Sequence, residues 1–329
     1  MQAFEYANPT SIQDAVRLLG SNEGESAVLA GGTDLLSLMK DYVVTPGRLV
    51  NIKSIEDLQG VSFDSDAGLS IGAVATLDEL AAQDSVQTHY PALIQALDGI
   101  RSAQIQAAGT VGGDLCQRPR CWYFRRGFGL LAQMNGKSMV ADGDNRYHAI
   151  LGNDGPAQFV NASSLAPALI ALGAKVTIQG VSGAREIALE DFFQTPGSQS
   201  ERENVLSPNE ILTRIVVPAA SGTRNATYEV REKEALDWPL AAASVSLTEN
   251  GGGVGQARVV LGHVAPVPWV SEKAGMALQG KAVSRESAES AGDAAVEGAR
   301  ALSRNKYKIQ LARVAVKRAV LRAAGMEES

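Results

Sequence analysis

Apolar residues at the start of the chain alternate between helical and extended spacing. The helical stripe that follows Thr10 and Ser11 and ends at Gly20 predicts a first helix, because either Thr10 or Ser11 can cap a helix and glycine favours helix ends. The short apolar runs at 27–30 and 49–52 predict strands, and a second apolar helix is predicted between them. This order predicts an αβαβ subdomain over residues 1–53.

Residues 54–220 continue as a mixture of helical and extended patterns. They predict strands at 69–73, 174–179 and 210–217, helices beyond Thr76, at 90–102 and at 165–172, and a glycine-rich loop at 106–114. Residues 116–157 hold few periodic apolar positions. We therefore expect a long insertion there, of the kind that is often functional or mobile.

A small, polar stretch at residues 219–225 predicts a domain boundary. Beyond it the pattern predicts strands and two closing helices, near 226–232, 241–248, 256–264, 283–303 and 308–324. We expect two domains, 1–220 and 221–329. The first is expected to consist of subdomains 1–53 and 54–220 and to carry the insertion.

Composition and charge exclude several classes of protein. The 329 residues carry a net charge of −6 without a long basic stripe, which argues against a nucleic-acid partner. No apolar run approaches the roughly 18 residues of a membrane span, so direct membrane insertion is not expected. The sequence has no recognisable signal segment and two cysteines. We expect a cytoplasmic protein, or a periplasmic one exported with a signal-bearing partner.

Two glycine-rich motifs carry the clearest chemical signal. The first, AGGTD at residues 30–34, joins a predicted strand to a predicted helix, where backbone N–H groups can approach a pyrophosphate. The second, AGTVGGD at residues 108–114, is suited to cradle the other end of a dinucleotide. Either motif alone is also compatible with an ordinary tight turn.

Together the motifs resemble the FAD-binding loops of molybdenum hydroxylase flavoprotein subunits, a family that includes xanthine dehydrogenases, carbon monoxide dehydrogenases and bacterial aldehyde oxidoreductases. Similar runs lie at 210–212, 228–241, 261–266 and 305–309. The resemblance implies an α+β fold. It implies a vanillyl-alcohol-oxidase-type FAD-binding domain with two subdomains, followed by a C-terminal α/β domain like that of CO dehydrogenase flavoproteins.

The resemblance also implies where FAD binds. The pyrophosphate is expected on the Gly31–Gly32 loop and the ring near Gly113 and Asp114. The residues expected to bind FAD are Leu29, Ala30, Gly31, Gly32, Thr33, Asp34, Leu35, Ala108, Gly109, Thr110, Gly112, Gly113, Asp114, Ser164, Leu165, Leu212, Glu229 and Trp238. No catalytic side chain is expected in this chain, because the flavin would carry the chemistry. No metal ligand is expected either, because its three histidines lack metal-ligand spacing.

The insertion resembles that of a family branch in which extra cysteines bind a [4Fe–4S] cluster, and it is most similar to bacterial aldehyde oxidoreductases. Such a cluster needs four thiolates, whereas this chain offers only Cys116 and Cys121. These two are expected to be buried thiols, a disulfide or remnants of a lost cluster site. Arginines at 118, 120, 125 and 126 could hold FAD phosphates, contact a partner's acidic face or remain solvated.

Two positions depart from the family pattern. Ser164 stands where the family usually has an aspartate near the flavin, so a weaker, neutral contact is expected. Glu229 stands where xanthine dehydrogenases have a lysine near the flavin, and a negative charge there disfavours NAD. We therefore expect oxygen or another carrier as the electron acceptor.

The resemblance implies an electron-transferring subunit of a heterotrimeric aldehyde oxidase or dehydrogenase. A large partner would carry the molybdenum cofactor and a small partner two [2Fe–2S] clusters. Electrons would pass from those clusters through FAD to the acceptor. The alternatives are a flavoprotein subunit of a xanthine or N-heterocycle dehydrogenase, a free-standing FAD oxidase, and a structural subunit without flavin.

Overall fold

Three β-sheets and a short hairpin organise residues 1–233 and 237–326, the part of the chain that the computed structural model describes. The mixture of helices and sheets confirms the predicted α+β class. The run 228–241, which contributed to the family resemblance, includes 234–236, and the predicted domain 221–329 includes 327–329. Residues 234–236 and 327–329 lie outside the described residues.

The N-terminal sheet is parallel, with the strand order β1-β3-β2. Its elements are β1 (Glu5–Ala7), α1 (Ile12–Leu18), β2 (Ser26–Leu29), α2 (Leu35–Lys40) and β3 (Arg48–Asn51). The side chain of Ser11 accepts a hydrogen bond from the Asp14 backbone N–H, so the predicted cap of α1 is confirmed. Strand β1 was not predicted, because it is short and mostly exposed.

The next segment runs from the first sheet to the insertion. It consists of a 3-10 turn (Glu56–Leu58), β4 (Val61–Asp64), β5 (Gly68–Gly72), α3 (Leu77–Ala81), α4 (Asp84–His89), α5 (Pro91–Asp98), α6 (Ala103–Ala108) and α7 (Val111–Cys116). Thr76 and Glu79 form the predicted capping box of α3. The predicted glycine-rich loop at 106–114 is wrong. Most of that run belongs to α6 and α7. The Thr110 side chain caps α7 by accepting a hydrogen bond from the Gly113 backbone N–H.

The insertion forms short elements around its own apolar cluster. These are α8 (Trp122–Arg125), β6 (Gln133–Met134) and β7 (Lys137–Ser138). The cluster is made of Leu38, Cys121, Phe124, Leu130, Leu131, Ala132, Val140, Ala157 and Phe159. Because Leu38 belongs to α2, the insertion packs directly on the N-terminal subdomain.

The second sheet is antiparallel, with the strand order β4-β5-β10-β8-β9. Its later elements are α9 (Leu165–Ala171), β8 (Lys175–Gly180), β9 (Gly183–Ala188), a 3-10 turn (Leu189–Phe192) and β10 (Ile211–Val217). Helix α9 is buried along its whole length and packs against α5 and α7. Strand β9 was not predicted, because it is largely exposed and has no apolar alternation.

The third sheet has the strand order β11-β12-β13-β14 and is antiparallel. The elements of this region are β11 (Thr223–Val230), β12 (Ala241–Asn250), β13 (Gly253–Gly262), β14 (Trp269–Val270), α10 (Glu272–Leu278), α11 (Arg285–Ala295) and α12 (Tyr307–Ala323). The predicted helix at 283–303 ends early, at Ala295. No helix within 1–233 or 237–326 has the length and apolarity to cross a membrane.

A buried lysine joins the insertion to the C-terminal region. The Lys308 ammonium at the start of α12 donates to the backbone carbonyls of Tyr147, His148 and His263, at 3.1, 3.1 and 2.8 Å. Burial lowers the pKa of Lys308 to about 7, while the three carbonyl acceptors favour the charged form. The side chain of Asn305 also donates to the His148 carbonyl, at 3.1 Å. These bonds fix the end of the insertion on α12.

We predict that Lys308→Met lowers the free energy of unfolding by about 3 kcal/mol, because it leaves buried carbonyls without a donor. Lys306→Met is the matched control, since Lys306 is exposed two residues away, and we expect it to change stability by less than about 0.5 kcal/mol. Urea unfolding of both variants measures the difference. Equal midpoints would contradict the structural role of Lys308.

Candidate cofactor site

Two cavities meet at the glycine motifs. The larger, of about 470 Å³, lies between the N-terminal subdomain and the second sheet. The smaller, of about 240 Å³, lies beside α7 and reaches Arg231 and residues 237–239. Both are lined by Thr33, Asp34, Thr110, Gly113 and Gln117. The cavities therefore form one extended, bent space with both motifs at its centre.

The glycines of the two motifs are required by close backbone packing. A Cβ atom on Gly31 would lie 2.0 Å from the Ala108 carbonyl oxygen, and one on Gly112 would lie 2.8 Å from the Ala73 carbonyl oxygen. Gly32 has a φ of +72°, in the left-handed region that other residues rarely adopt. The first motif thus packs against the second, and backbone forms this part of the wall.

Asp34 connects the first motif to the insertion. Its carboxylate accepts from the Arg118 backbone N–H at 2.8 Å, from Arg120 Nη1 at 2.5 Å and from Arg125 Nη2 at 2.8 Å. Burial opposes ionisation, but Arg120 and Arg125 outweigh it and hold the pKa of Asp34 below its ordinary value. Pairing of Arg120 and Arg125 with Asp34 was not among the alternatives that the sequence suggested for the arginine run.

Asp114 holds the start of α9 against the second motif. Its carboxylate accepts from the Ser163 hydroxyl and from the Leu165 backbone N–H, the latter at 3.1 Å. Burial raises the pKa of Asp114, and the bond from Ser163 partly offsets that effect. Ser164 lies between these two contacts and lines the smaller cavity. The position expected to give a neutral flavin contact therefore faces the expected space.

The aromatic wall of the smaller cavity is Trp238. Its indole ring is 39% exposed, and the guanidinium carbon of Arg120 lies 4.6 Å from the ring centroid. Because Arg120 also binds Asp34, it links the first glycine motif to this wall. A cation above an indole face is a stabilising arrangement worth about 1 kcal/mol.

Glu229 differs most from its expected role. Its carboxylate forms an ion pair with Arg231, and the Glu229 side chain is 7% exposed. Arg231 lines the smaller cavity, whereas Glu229 is not one of the described residues in its wall. Burial raises the pKa of Glu229 to about 6, and Arg231 opposes the shift. The charged side chain that borders the cavity just after β11 is therefore Arg231, and the argument that Glu229 repels NAD loses its basis.

Most of the other residues expected to bind FAD line the cavities. They are Ala30, Gly31, Gly32, Thr33, Asp34, Leu35, Gly109, Thr110, Gly112, Gly113, Asp114, Ser164, Leu212 and Trp238. Leu29, Ala108 and Leu165 are not among the described residues that line either cavity, but they contact residues that are. Ala108 supports Gly31, Leu165 donates to Asp114, and Leu29 packs close to Gly32.

Several cavity residues were missed in the sequence. Arg202 and Asn204 line the larger cavity from a polar loop that had no assigned role, and Arg202 pairs with Glu23 across it at 3.3 Å. Arg231 and Gln117 line the smaller cavity.

The site contains features that suit a dinucleotide. Arg120 and Arg202 each have a buried Nε atom without a hydrogen-bond partner among the described residues, and they line different cavities. The larger cavity is within the usual size range of ligand sites. Unpaired guanidinium donors and backbone glycines fit an anionic, elongated cofactor such as FAD.

Both cysteines are free thiols. Cys116 lines the larger cavity, and burial raises its pKa to about 12. The Cys121 sulfur lies 3.1 Å from His148 Nε2, but burial lowers the pKa of His148 to about 4, so the two groups form a neutral pair. No cluster of three or more His, Cys, Asp or Glu side chains arranged to hold a metal occurs within the described ranges.

The sequence matches two families of domains. Residues 2–220 match the FAD binding domain in molybdopterin dehydrogenase, and residues 226–323 match the CO dehydrogenase flavoprotein C-terminal domain. The chain therefore belongs to the FAD-binding subunits of the molybdenum hydroxylase family and is an oxidoreductase subunit. The family and fold implied by the two glycine motifs are confirmed. The predicted boundary between residues 220 and 221 stays a prediction.

Known relatives cover nearly the whole chain. The aldehyde oxidoreductase FAD-binding subunit PaoB of Escherichia coli is 30% identical over 95% of this chain and 96% of its own length. The carbon monoxide dehydrogenase medium chain of Afipia carboxidovorans is 30% identical over 98% and 96%. A solved carbon monoxide dehydrogenase from Hydrogenophaga pseudoflava superposes with a TM-score of 0.77 at 30% identity, covering 99% of both chains.

We predict that Gly32→Val abolishes FAD retention, because the side chain would project from a left-handed backbone beside the cavity. Gly60→Val is the control. Gly60 has a similar φ of +82°, but nothing lies within 4 Å of an added Cβ, and it lines neither cavity among the described residues. Released flavin fluorescence gives the flavin content. Loss of flavin in both variants, or in neither, would contradict the assignment.

We also predict that Asp34→Asn loosens the insertion and weakens FAD retention. The change removes the charge that Arg120 and Arg125 share, which costs about 2 kcal/mol of unfolding free energy. Asp41→Asn, at the exposed end of the same helix, serves as the control. Limited proteolysis within 116–157 reports the loosening. An unchanged cleavage rate would argue against this link.

Proposed function

We propose that the chain binds one FAD non-covalently along the two cavities. The adenosine half occupies the larger cavity, the pyrophosphate lies on the Gly31–Gly32 backbone, and the flavin ring lies in the smaller cavity beside Trp238. The meeting of both cavities at both glycine motifs is the observation that carries this proposal. Neither motif contains a His or Cys that could bond to a flavin.

The chain acts as the electron-transferring subunit of a molybdenum hydroxylase complex. Bound flavin supplies the chemistry that accepts electrons singly and passes them on in pairs. A small partner with two [2Fe–2S] clusters delivers the electrons, and a large partner with the molybdenum cofactor oxidises the organic substrate. This chain's residues hold the ring, exclude water around the phosphates and set the local charge.

An aldehyde is the proposed substrate of the complex. The PaoB relative is named as an aldehyde oxidoreductase subunit, and the insertion at 116–157 resembles that branch. The carbon monoxide dehydrogenase medium chains support a second candidate substrate, carbon monoxide, at similar identity. In either case the substrate binds on the large partner, and this chain handles only the electrons.

Oxygen, or a carrier other than NAD, is the proposed acceptor. The family comparison at Glu229 no longer supports this, since Glu229 is paired with Arg231. The remaining support is the resemblance of residues 116–125 to the same segment of aldehyde oxidoreductases, which supports the proposal by analogy.

We predict that the tagged chain co-purifies with two partners, FAD, molybdenum and the iron of two [2Fe–2S] clusters. Anaerobic addition of an aromatic aldehyde should bleach the flavin absorption band, and oxygen should restore it faster than NAD does. A chain that purifies alone and oxidises its own substrate would instead be a free-standing oxidase. Additional iron that disappears in Cys116→Ser and Cys121→Ser variants would contradict the absence of a third cluster.

A further inference from the structure

Arg231 is the charged group that the C-terminal sheet presents to the smaller cavity. It directly follows β11 and lines the cavity together with Ile100 and Trp238. The Arg231 side chain is 13% exposed. A guanidinium with so little contact with water interacts strongly with charge that develops beside it, because screening is weak there.

The guanidinium is held in one orientation. Glu229 Oε2 accepts from Arg231 Nε at 3.1 Å and also from Nη2, and the Asp237 backbone carbonyl accepts from Nη1 at 2.5 Å. A Cβ on Gly99 would lie 2.1 Å from Glu229 Oε2 and 2.3 Å from Arg231 Nη2. The absence of a side chain at residue 99 therefore makes room for the ion pair beside the cavity wall.

The ion pair is oriented with its positive end toward the cavity. Arg231 lines the cavity, whereas Glu229 lies behind it and its Oε1 atom has no hydrogen-bond partner in the described part of the chain. Three acidic residues among those described line the smaller cavity, and one of them, Asp237, accepts a hydrogen bond at Oδ1 from the Trp238 backbone N–H at 3.0 Å. Asp34 is neutralised by Arg120 and Arg125, and Asp114 accepts from Ser163.

We propose that Arg231, positioned by Glu229, stabilises negative charge on the flavin ring and thereby raises its two-electron reduction potential. The inference rests on the proposed placement of the ring in the smaller cavity. Reduction by two electrons from the iron–sulfur partner, with uptake of one proton from water, leaves one negative charge on the ring. A fixed cation beside the ring favours that product over the neutral oxidised form.

Sulfite is a probe of this charge that does not require turnover. It adds to oxidised flavin as a nucleophile, leaves negative charge on the ring and bleaches the visible band. We expect Arg231→Gln to weaken sulfite binding on the order of ten-fold, and Arg231→Lys to restore most of the loss. A ten-fold effect on a two-electron couple corresponds to about −30 mV in reduction potential, which dye equilibration measures independently.

Two further variants separate charge from packing. Glu229→Gln keeps an oxygen that can accept from Arg231 but removes the negative charge, so we expect tighter sulfite binding. Arg101→Gln removes an exposed cation from the edge of the same cavity, and we expect less than about a three-fold change because water screens that position. The measurements use the full chain in the complex in which it is purified, with flavin content determined for every variant.

The outcomes distinguish this inference from the proposed function. Flavin-loaded Arg231→Gln with unchanged sulfite affinity and potential would overturn the inference and leave FAD binding intact. An equal effect of Arg101→Gln would also overturn it, since the total charge of the cavity would then matter rather than this ion pair. Weaker sulfite binding in Glu229→Gln would contradict the proposed direction. Absence of flavin from the unaltered complex would reject the proposed function itself.

Discussion

The Asp34 carboxylate is the contact on which the arrangement of the site depends. It receives a backbone N–H and two guanidinium groups from the insertion, and it belongs to the same motif as the closely packed Gly31. One side chain therefore fixes the first glycine motif, the insertion and, through Arg120, the aromatic wall at Trp238. Both cavities share Asp34 in their walls, so their relative position follows from this contact.

The insertion contacts both of the domains that match the family. At one side it is held by Asp34 and by the apolar cluster around Leu38, and at the other by Lys308 and Asn305 on α12. Buried side chains donate to its backbone carbonyls, which satisfies polar groups in a segment with little helix or strand. The cysteines contribute to this as apolar, uncharged groups, since burial raises the pKa of each thiol.

The sequence predicted the features that depend on local backbone geometry. The glycine motifs were recognisable because close packing and a positive φ at Gly32 restrict those positions to glycine. Strand β9 was missed because its residues are mostly exposed and show no apolar alternation. The helical nature of 106–114 was missed because its glycines are more typical of loops than of helices. The Glu229 side chain is not in the cavity wall because β11 packs beside Gly99, and no local sequence pattern shows that packing.

The bonds that hold the insertion join residues far apart along the chain. Asp34 and Arg118 are 84 positions apart, and Lys308 and Tyr147 are 161 apart. Contacts of such long sequence separation form late in folding, because a large loop must close before they contribute. During synthesis, moreover, α12 leaves the ribosome after the glycine motifs and the insertion. A nascent chain therefore holds the described residues that line both cavities before it has the lysine that fixes the end of the insertion.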